Sequence, residues 1–308
     1  MRAYAGESDY WRVRAFLRDL LLRNDLHLSM WHVSRWDYWR WHVLLNCEPQ
    51  PMEEVVALWE LGDGTLAAVL NPDNRGDAFF QVDPRHRSPD LDRELLATAE
   101  KRLPSPVDGH LDVWVPASDP VWSALLGSAG YRPTDDVEHV RAASLATLPV
   151  ADLAPGYRIR PVTDEDFPAR GKLSLRVFHP VPDGSTAMTL DEYRNIQRAP
   201  LYRRDLDLVA ESADGELAGF AGIWFDDVTR TAQVEPMGVD AAHRRKGVGR
   251  ALLLEAMRRA ARLGAVVAFV GSYSAPAHAA YESVGLRTIE RLVAWRRTDA
   301  RGVRPYVV

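Results

Sequence analysis

The sequence predicts an α+β protein built from two tandem copies of one domain. Its 308 residues are about twice the length of a typical domain. Several short segments occur twice at a nearly constant separation, which is the mark of an internal repeat. The second half also alternates strand-like and helix-like patterns of apolar residues.

Three pairs of segments carry the repeat. The first pair places an Asp-Gly turn between two apolar runs, which is the strongest short signal for a β-hairpin. The matched segments are residues 60–67 with 211–218, 82–87 with 239–244, and 128–132 with 283–287. We therefore assign one copy to residues 1–148 and the other to residues 156–308, with a turn-rich linker between them.

The elements of the second copy follow from its apolar periodicity and from residues that begin and end helices. Residues 163–166 carry side chains that begin helices, and glycines end both later helices. The strand at 231–239 contains Pro236 and Gly238, so we expect a β-bulge within it. The remaining predicted elements are strands at 157–162, 206–211, 217–225, 265–270 and 286–295, and helices at 249–263 and 276–285.

Composition excludes several classes of protein. The formal net charge of −5 argues against a general nucleic-acid binder. No apolar stretch is long enough to span a bilayer, and the first residues lack the apolar core of a signal peptide. The one cysteine, Cys47, cannot form an internal disulfide. We therefore expect a cytoplasmic protein with no membrane partner.

A cationic turn containing two glycines joins a predicted strand to the helix at 249–263. Gly247 and Gly249 let the backbone turn tightly and expose its N–H groups at a helix N-terminus, where the helix dipole favours an anion. Four cationic side chains lie in the same turn and predict a pyrophosphate site: Arg244, Arg245, Lys246 and Arg250. The turn is neither a P-loop nor a dinucleotide fingerprint, because Gly-Lys-Ser/Thr is absent and Leu252 replaces the third glycine. A solvated arginine-rich loop is the alternative.

Two motifs resemble one enzyme family. Residues 244–249, Arg-Arg-Lys-Gly-Val-Gly, resemble the Arg/Gln-x-x-Gly-x-Gly/Ala signature of the GCN5-related N-acetyltransferases (GNATs), and residues 280–286 look like the family's Leu-Tyr-Glu-x-x-Gly-Phe run. The resemblance covers about residues 156–297. It implies, in each copy, a mixed and mostly antiparallel sheet flanked by helices. It also implies acetyl-CoA as the acyl donor, no metal, and transfer of the acetyl group to an amine.

The resemblance also implies which residues bind the donor. The amides of residues 245–250 would hold the pyrophosphate, Val239 would pair with the pantetheine arm, and the Met237 N–H would face the acetyl carbonyl. Many relatives carry Asn where this chain has Ser274, whose hydroxyl can replace one hydrogen bond of that amide. The implied cofactor-binding residues are Met237, Val239, Arg244, Arg245, Lys246, Gly247, Val248, Gly249, Arg250 and Ser274.

Two residues are the candidates for catalysis. Tyr281 matches the family's usual general acid and could protonate the leaving thiolate; the alternative is a tyrosine that anchors the core. By strand alternation we expect Glu235 on the same side as Met237 and Val239, where it could deprotonate the amine. The alternative is a surface glutamate. His179 is a further candidate base, although a histidine before proline is more typical of a loop.

The first copy has lost the residues of the donor site. Asp90 and Asp92 align with Gly247 and Gly249, and carboxylates there repel a pyrophosphate. Pro89 removes a further amide donor. We therefore expect a degenerate domain without a cofactor site. This copy also clusters four tryptophans, which either line the acceptor pocket or, more typically, pack in the core or a domain interface: Trp31, Trp36, Trp39 and Trp41.

These observations favour an N-acetyltransferase that transfers an acetyl group from acetyl-CoA to a primary amine of a small molecule by direct attack. The resemblance to the GNATs implies that residues 178–183 and 189–202 line the acceptor site. A mycothiol-synthase-like acetyltransferase is a close variant, because that group is also a tandem pair. A non-catalytic acyl-CoA-binding sensor is the alternative from another class, and intact Tyr281 and Glu235 argue against it.

Overall fold

The structure is a computed structural model, and it describes residues 1–150, 155–178 and 189–297. The chain divides into two compact units. The first comprises Met1–Trp39, Cys47–Val140 and the C-terminal strand from Ile289, and the second comprises Arg40–Asn46 and Arg141–Thr288. These units differ from the two sequence copies, because short segments of each copy group with the other unit. The assignment of residues 1–148 and 156–308 to two copies of one domain therefore remains a prediction.

Twelve strands and nine α-helices are formed by the described residues. The strands are β1 (Arg2–Ala3), β2 (Ala57–Glu60), β3 (Leu66–Asn71), β4 (Asp77–Val82), β5 (Asp112–Pro116), β6 (Tyr131–Ser144), β7 (Tyr157–Pro161), β8 (Asp207–Ser212), β9 (Leu217–Asp226), β10 (Thr231–Val239), β11 (Val267–Ser272) and β12 (Arg287–Arg297). The helices are α1 (Glu7–Arg23), α2 (Val33–Tyr38), α3 (Met52–Val55), α4 (Pro89–Arg102), α5 (Pro120–Ser128), α6 (Phe167–Phe178), α7 (Leu190–Gln197), α8 (Val248–Arg262) and α9 (Ala275–Glu282). A π-helix spans Trp39–Cys47, and 3-10 turns span Pro84–His86, Asp164–Asp166, Arg204–Leu206 and Ala241–His243.

The second unit has a mixed sheet with strand order β6-β11-β10-β9-β8-β7. Strands β7 to β10 pair antiparallel and β10 pairs with β11 in parallel. The apolar face of α8 packs on one side of this sheet, in a core that includes Leu252, Leu253 and Tyr281. Phe167, Tyr193 and other residues of α6 and α7 form a smaller core with Val209 and Phe220. The predicted α+β fold class and element order are therefore confirmed.

Strand β10 contains the predicted bulge. Val234 pairs with Ile223 of β9, and the next pair joins Met237 to Ala221. Two residues, Glu235 and Pro236, therefore lie opposite the single residue between Ala221 and Ile223, which is the definition of a β-bulge. The predicted interruption of this strand is confirmed.

The first unit repeats the connectivity without the bulge. Its strand order is β1-β2-β3-β4-β5-β12-β6, with β3 and β4 antiparallel and β4 and β5 parallel. Pairing along the described β3 and β4 runs from Ala68 with Val82 to Asn71 with Phe79 without a shift. The two sheets therefore share a topology, and only one of them shows a break in the corresponding strand.

Aromatic side chains dominate the core of the first unit. Trp31, Trp36 and Trp39 are buried, and the rings of Trp36 and Trp39 stack with centroids 5.1 Å apart. The interpretation of these three as core residues is confirmed. Trp41 belongs to the second unit, where it is half-buried between the guanidinium groups of Arg40 and Arg198, each 4.9 Å from its ring.

None of the described helices has the length and apolar character needed to cross a membrane.

Gly222 lies opposite the bulge and allows the two strands to approach closely. A Cβ atom on Gly222 would lie 2.7 Å from the Glu235 carbonyl oxygen. We predict that Gly222→Ala lowers the free energy of unfolding by about 1–3 kcal/mol, because the backbone at the bulge must move. Thermal denaturation measures this loss. Gly62→Ala is the matched control, since no atom lies within 4 Å of its added Cβ; equal melting temperatures for the two variants would contradict the prediction.

Candidate active site

The bulge leaves one edge of β10 facing away from its antiparallel neighbour. The Asp240 N–H donates to the Ala218 carbonyl at 2.9 Å. Because hydrogen-bonded and non-hydrogen-bonded pairs alternate along antiparallel strands, the N–H and C=O groups of Met237 and Val239 are directed away from β9. The parallel pairing with β11 on that side ends at Gln233 and Phe269. An extended ligand could therefore pair with β10 at Met237 and Val239.

The N-terminus of α8 lies against this same stretch of β10. A Cβ atom on Gly249 would lie 3.0 Å from the Met237 side chain and 3.3 Å from that of Val239. Gly247 at the N-cap has a φ of 77°, and no side chain of the described residues caps the helix. Its first N–H groups have no partner within the helix, and its dipole attracts negative charge. The two glycines therefore open a concave, donor-lined surface beside β10.

Cationic side chains surround this helix terminus. Arg244, Arg245 and Lys246 are exposed, and Arg250 is half-buried. The Arg244 Nε donates to the Val239 carbonyl at 3.2 Å, which places its charge beside the strand edge. Val248, which follows the turn, is buried in the core. The turn therefore combines free backbone donors with positive charge, as a pyrophosphate requires.

Ser274 is the N-cap residue of α9. It is exposed, and its side chain makes no capping hydrogen bond within the part of the chain that the structure describes. Its hydroxyl therefore remains available for a ligand.

Tyr281 lies on α9 and is buried in the same core as α8. Burial raises the pKa of the phenol above its ordinary value of 10, the charge of Glu235 raises it further, and the charge of Arg141 lowers it. The phenol therefore stays protonated across the neutral range, as a general acid requires.

Glu235 lies in the bulge and is half-buried. Its Oε2 accepts a hydrogen bond of 3.0 Å from the Gln233 amide, and its carbonyl accepts one of 2.5 Å from the Trp224 indole. Ala232 and Val234 face the α8 core, so Gln233 faces the other side, and Glu235 joins it there. The predicted placement of Glu235 on the side of Met237 is therefore wrong, because the extra residue in the bulge shifts the alternation by one.

The predicted acceptor wall at 189–202 includes α7, which is held by a segment from the first sequence copy. The Asn46 Nδ2 donates to the Glu192 carbonyl at 2.9 Å, and the Asn195 Nδ2 donates to the Asn46 Oδ1 at 2.8 Å. Burial and the charge of Arg170 lower the pKa of His42 to about 4, so its neutral Nδ1 accepts a 3.0 Å bond from Asn46. His179 and residues 179–183 lie outside the described residues.

The matched helix of the first unit has a closed N-terminus. The Ser88 hydroxyl accepts from the Leu91 N–H at 3.2 Å, and Pro89 occupies the first turn. Asp92 is buried, which raises the pKa of its carboxyl group, and it accepts a hydrogen bond from Arg87. At the start of α4, one backbone N–H is thus already hydrogen-bonded to Ser88 and another is missing because of Pro89. The corresponding N–H groups of α8 have no side-chain cap.

Two comparisons identify the family. The sequence profile of the Acetyltransferase (GNAT) family matches residues 175–286. A mycothiol acetyltransferase of Kineococcus radiotolerans is 32% identical over 209 residues, which cover 65% of this chain and 67% of that protein. The chain belongs to the GNAT family. A mycothiol acetyltransferase of Clavibacter sepedonicus is 29% identical over 239 residues, which cover 75% of this chain and 76% of that protein.

Solved GNAT structures share the fold over the full length of the chain. A GCN5-related N-acetyltransferase from Sphaerobacter thermophilus has a TM-score of 0.69 at 20% identity, covering 99% of this chain and 96% of that one. A tandem GNAT protein from the clavulanic acid biosynthesis pathway has a TM-score of 0.65 at 18% identity, covering 98% and 99%. The predicted tandem GNAT architecture is confirmed. As a GNAT, the protein is an acyltransferase of a family whose acyl donor is acetyl-CoA.

Two residues near the candidate site were not predicted from the sequence: Trp224, which donates to the Glu235 carbonyl, and Arg141, whose charge lowers the pKa of Tyr281. Both lie in strands without a recognisable motif, so no local signal could have identified them.

Among the described residues, no group of three or more His, Cys, Asp or Glu side chains is arranged to hold a metal ion.

The contrast between α8 and α4 predicts one coenzyme A site per chain. We expect calorimetric titration to give a stoichiometry of one, and Gly247→Asp to abolish binding. The added carboxylate repels the phosphates, and each lost charge-assisted hydrogen bond weakens binding by about tenfold or more. Gly64→Asp is the matched control, since Gly64 shares the positive φ of Gly247 and a Cβ added to Gly64 would meet no atom within 4 Å. Two sites, or binding that survives Gly247→Asp, would contradict this assignment.

Proposed function

We propose that the protein is an N-acetyltransferase that uses acetyl-CoA to acetylate a primary amine of a small molecule. One observation supports this most strongly: the bulged strand β10 contacts the N-terminal turn of α8, and Tyr281 is buried in the core against which Met237 and Val239 of that strand pack. This arrangement provides a place for an anion, an edge for an extended arm and a proton donor on adjacent elements.

The donor is held by the second unit alone. The N–H groups of the turn and first residues of α8 bind the pyrophosphate together with Arg244, Arg245, Lys246 and Arg250. The backbone of Val239 pairs with the pantetheine arm. The Met237 N–H points to the acetyl carbonyl and stabilises the negative charge that develops on its oxygen. Ser274 hydrogen-bonds the donor from the start of α9.

Glu235 and Tyr281 carry out the two proton transfers. Glu235 takes a proton from the ammonium group of the acceptor and so exposes the nitrogen lone pair. The nitrogen forms a bond to the acetyl carbon, and the carbon–sulfur bond breaks. Tyr281 gives its proton to the departing thiolate. The second proton of the new amide nitrogen then restores the phenol, so that the protein ends the step unchanged apart from the proton on Glu235, which passes to solvent.

The names of the relatives support a particular acceptor. Relatives that share 26–32% of their residues with this chain, and cover 58–83% of it, are mycothiol acetyltransferases. Acceptor recognition is expected to follow sequence similarity that extends beyond the donor motifs. The proposed acceptor is therefore the precursor of mycothiol that lacks the acetyl group.

Thiol release from acetyl-CoA tests this function. The purified chain is incubated with acetyl-CoA and a panel of primary amines that includes the deacetylated mycothiol precursor. We expect amine-dependent release of one thiol per acetylated product, fastest with that precursor. Coenzyme A binding without thiol release for any amine would instead support the acyl-CoA-binding sensor.

Removal of the phenol hydroxyl should slow the chemical step. We predict that Tyr281→Phe lowers kcat by about a hundredfold, the scale of general acid catalysis, while coenzyme A affinity stays nearly unchanged. Steady-state kinetics and calorimetry measure the two quantities. Tyr131→Phe is the control, because this buried tyrosine of the first unit loses a hydroxyl that donates to Glu100. Wild-type turnover in Tyr281→Phe would exclude Tyr281 as the acid.

Neutralising Glu235 should change the pH profile. A base must be deprotonated to act, so the rate rises as pH rises through the pKa of the catalytic carboxyl group. Glu235→Gln is expected to lower kcat/KM and to remove this acidic limb. Glu165→Gln, at an exposed glutamate of the same unit, serves as the control. An acidic limb that persists in Glu235→Gln would assign the proton transfer to another group.

A further inference from the structure

Arg141 is a fully buried arginine at the end of β6. Its side chain is 2% exposed, and its guanidinium group has three partners. The Nε donates to the Ser272 hydroxyl at 2.9 Å, and Nη1 donates to the Glu282 carboxylate at 3.1 Å and to the Leu286 carbonyl at 3.3 Å. One side chain therefore joins the end of β11 to the end of α9 and the segment that follows it.

The partners of Arg141 flank Tyr281. Glu282 is the next residue on α9, and the Leu286 N–H donates to the Tyr281 carbonyl at 3.1 Å. The turn between Tyr281 and Leu286 is closed by this hydrogen bond. Arg141 therefore contacts the turn at both ends, through the Glu282 side chain and the Leu286 carbonyl. A loss of this contact would free the last turn of α9 and, with it, the direction of the phenol.

The charge of Arg141 is only partly balanced. Ser272 and the Leu286 carbonyl are neutral, and the carboxylate that pairs with Arg141 among the described residues, that of Glu282, belongs to a side chain that is 49% exposed. Water screens an exposed carboxylate more than a buried guanidinium. A positive field therefore remains inside the core, and Tyr281 experiences it, since the charge of Arg141 lowers the pKa of that phenol.

A buried charge is costly for folding unless it is paired and hydrogen-bonded. An apolar side chain of similar volume in place of a buried ionic group is often neutral or stabilising. Arg141 reaches the carbonyl of Leu286, a residue buried in the α8 core. Stability alone therefore does not account for an arginine at this position.

We propose that Arg141 is a positioning residue for Tyr281, which fixes the last turn of α9 and stabilises the phenolate that forms when Tyr281 gives its proton to the thiolate. This rests on the proposed function, in which Tyr281 is the acid. Arg141 itself takes and gives no proton. Its residue number places it in the first sequence copy, so that copy supplies a residue to the chemistry of the second unit.

A double-mutant cycle tests this role. Arg141→Met is made alone and together with Tyr281→Phe, and kcat and KM are measured by thiol release. Alone, Arg141→Met should lower kcat by about tenfold and leave the KM for acetyl-CoA within about twofold. In the Tyr281→Phe background the further loss should be less than about threefold, because no phenolate forms. Arg141→Lys, which keeps the charge, should recover most of kcat.

Controls separate this role from a purely structural one. Arg35 is a buried arginine of the first unit that pairs with Asp73 and Glu138, so Arg35→Met should have the same effect in both backgrounds. If Arg141→Met does not fold, the cycle is run with Arg141→Gln, which also removes the charge. Equal fold-losses for the neutral Arg141 variant with and without Tyr281, or an unchanged kcat in that variant, would overturn the role while thiol release by the wild type still supports the proposed function. A wild type that acetylates no amine would overturn both.

Discussion

The two-residue bulge in β10 is the constraint on which the second unit depends. Glu235 and Pro236 occupy the space opposite one residue of β9, and the strand can fit there because Gly222 carries no side chain. Beyond the bulge, Met237 and Val239 present their backbone groups away from β9 on the edge where pairing with β11 has already ended. In the corresponding strand of the first unit, pairing runs from Ala68 with Val82 to Asn71 with Phe79 without a shift.

The bulge and α8 act together because Gly249 brings them into contact. A Cβ on residue 249 would lie 3.0 Å from the Met237 Cε and 3.3 Å from Val239 Cγ2, so a glycine there lets the helix N-terminus and the strand pack closely. In the first unit, the equivalent helix is capped by Ser88 and begins with Pro89. The same topology therefore leaves the helix N-terminus uncapped in the second unit, at α8, and capped in the first unit, at α4. The chemistry depends on these few local differences, since both sheets share their strand connectivity.

The sequence predicted the parts of the site that local chemistry determines. Pro236 and Gly238 indicated the bulge, and Gly247 indicated the tight turn before α8. The anion site at that turn remains a prediction. The direction of Glu235 could not be predicted, because it depends on how many residues the bulge contains. Arg141 and the segment 40–46 could not be predicted either. Their contacts join residues far apart in the chain, and no periodic pattern records such pairings.

A crystal structure of the chain with coenzyme A tests the account most directly. The account predicts a single molecule per chain. Its pyrophosphate should contact the N–H groups at the start of α8, and its pantetheine arm should pair with the backbone of Val239 beside β10. Density for coenzyme A at α4 of the first unit, or a pantetheine arm that does not follow the edge of β10, would contradict it.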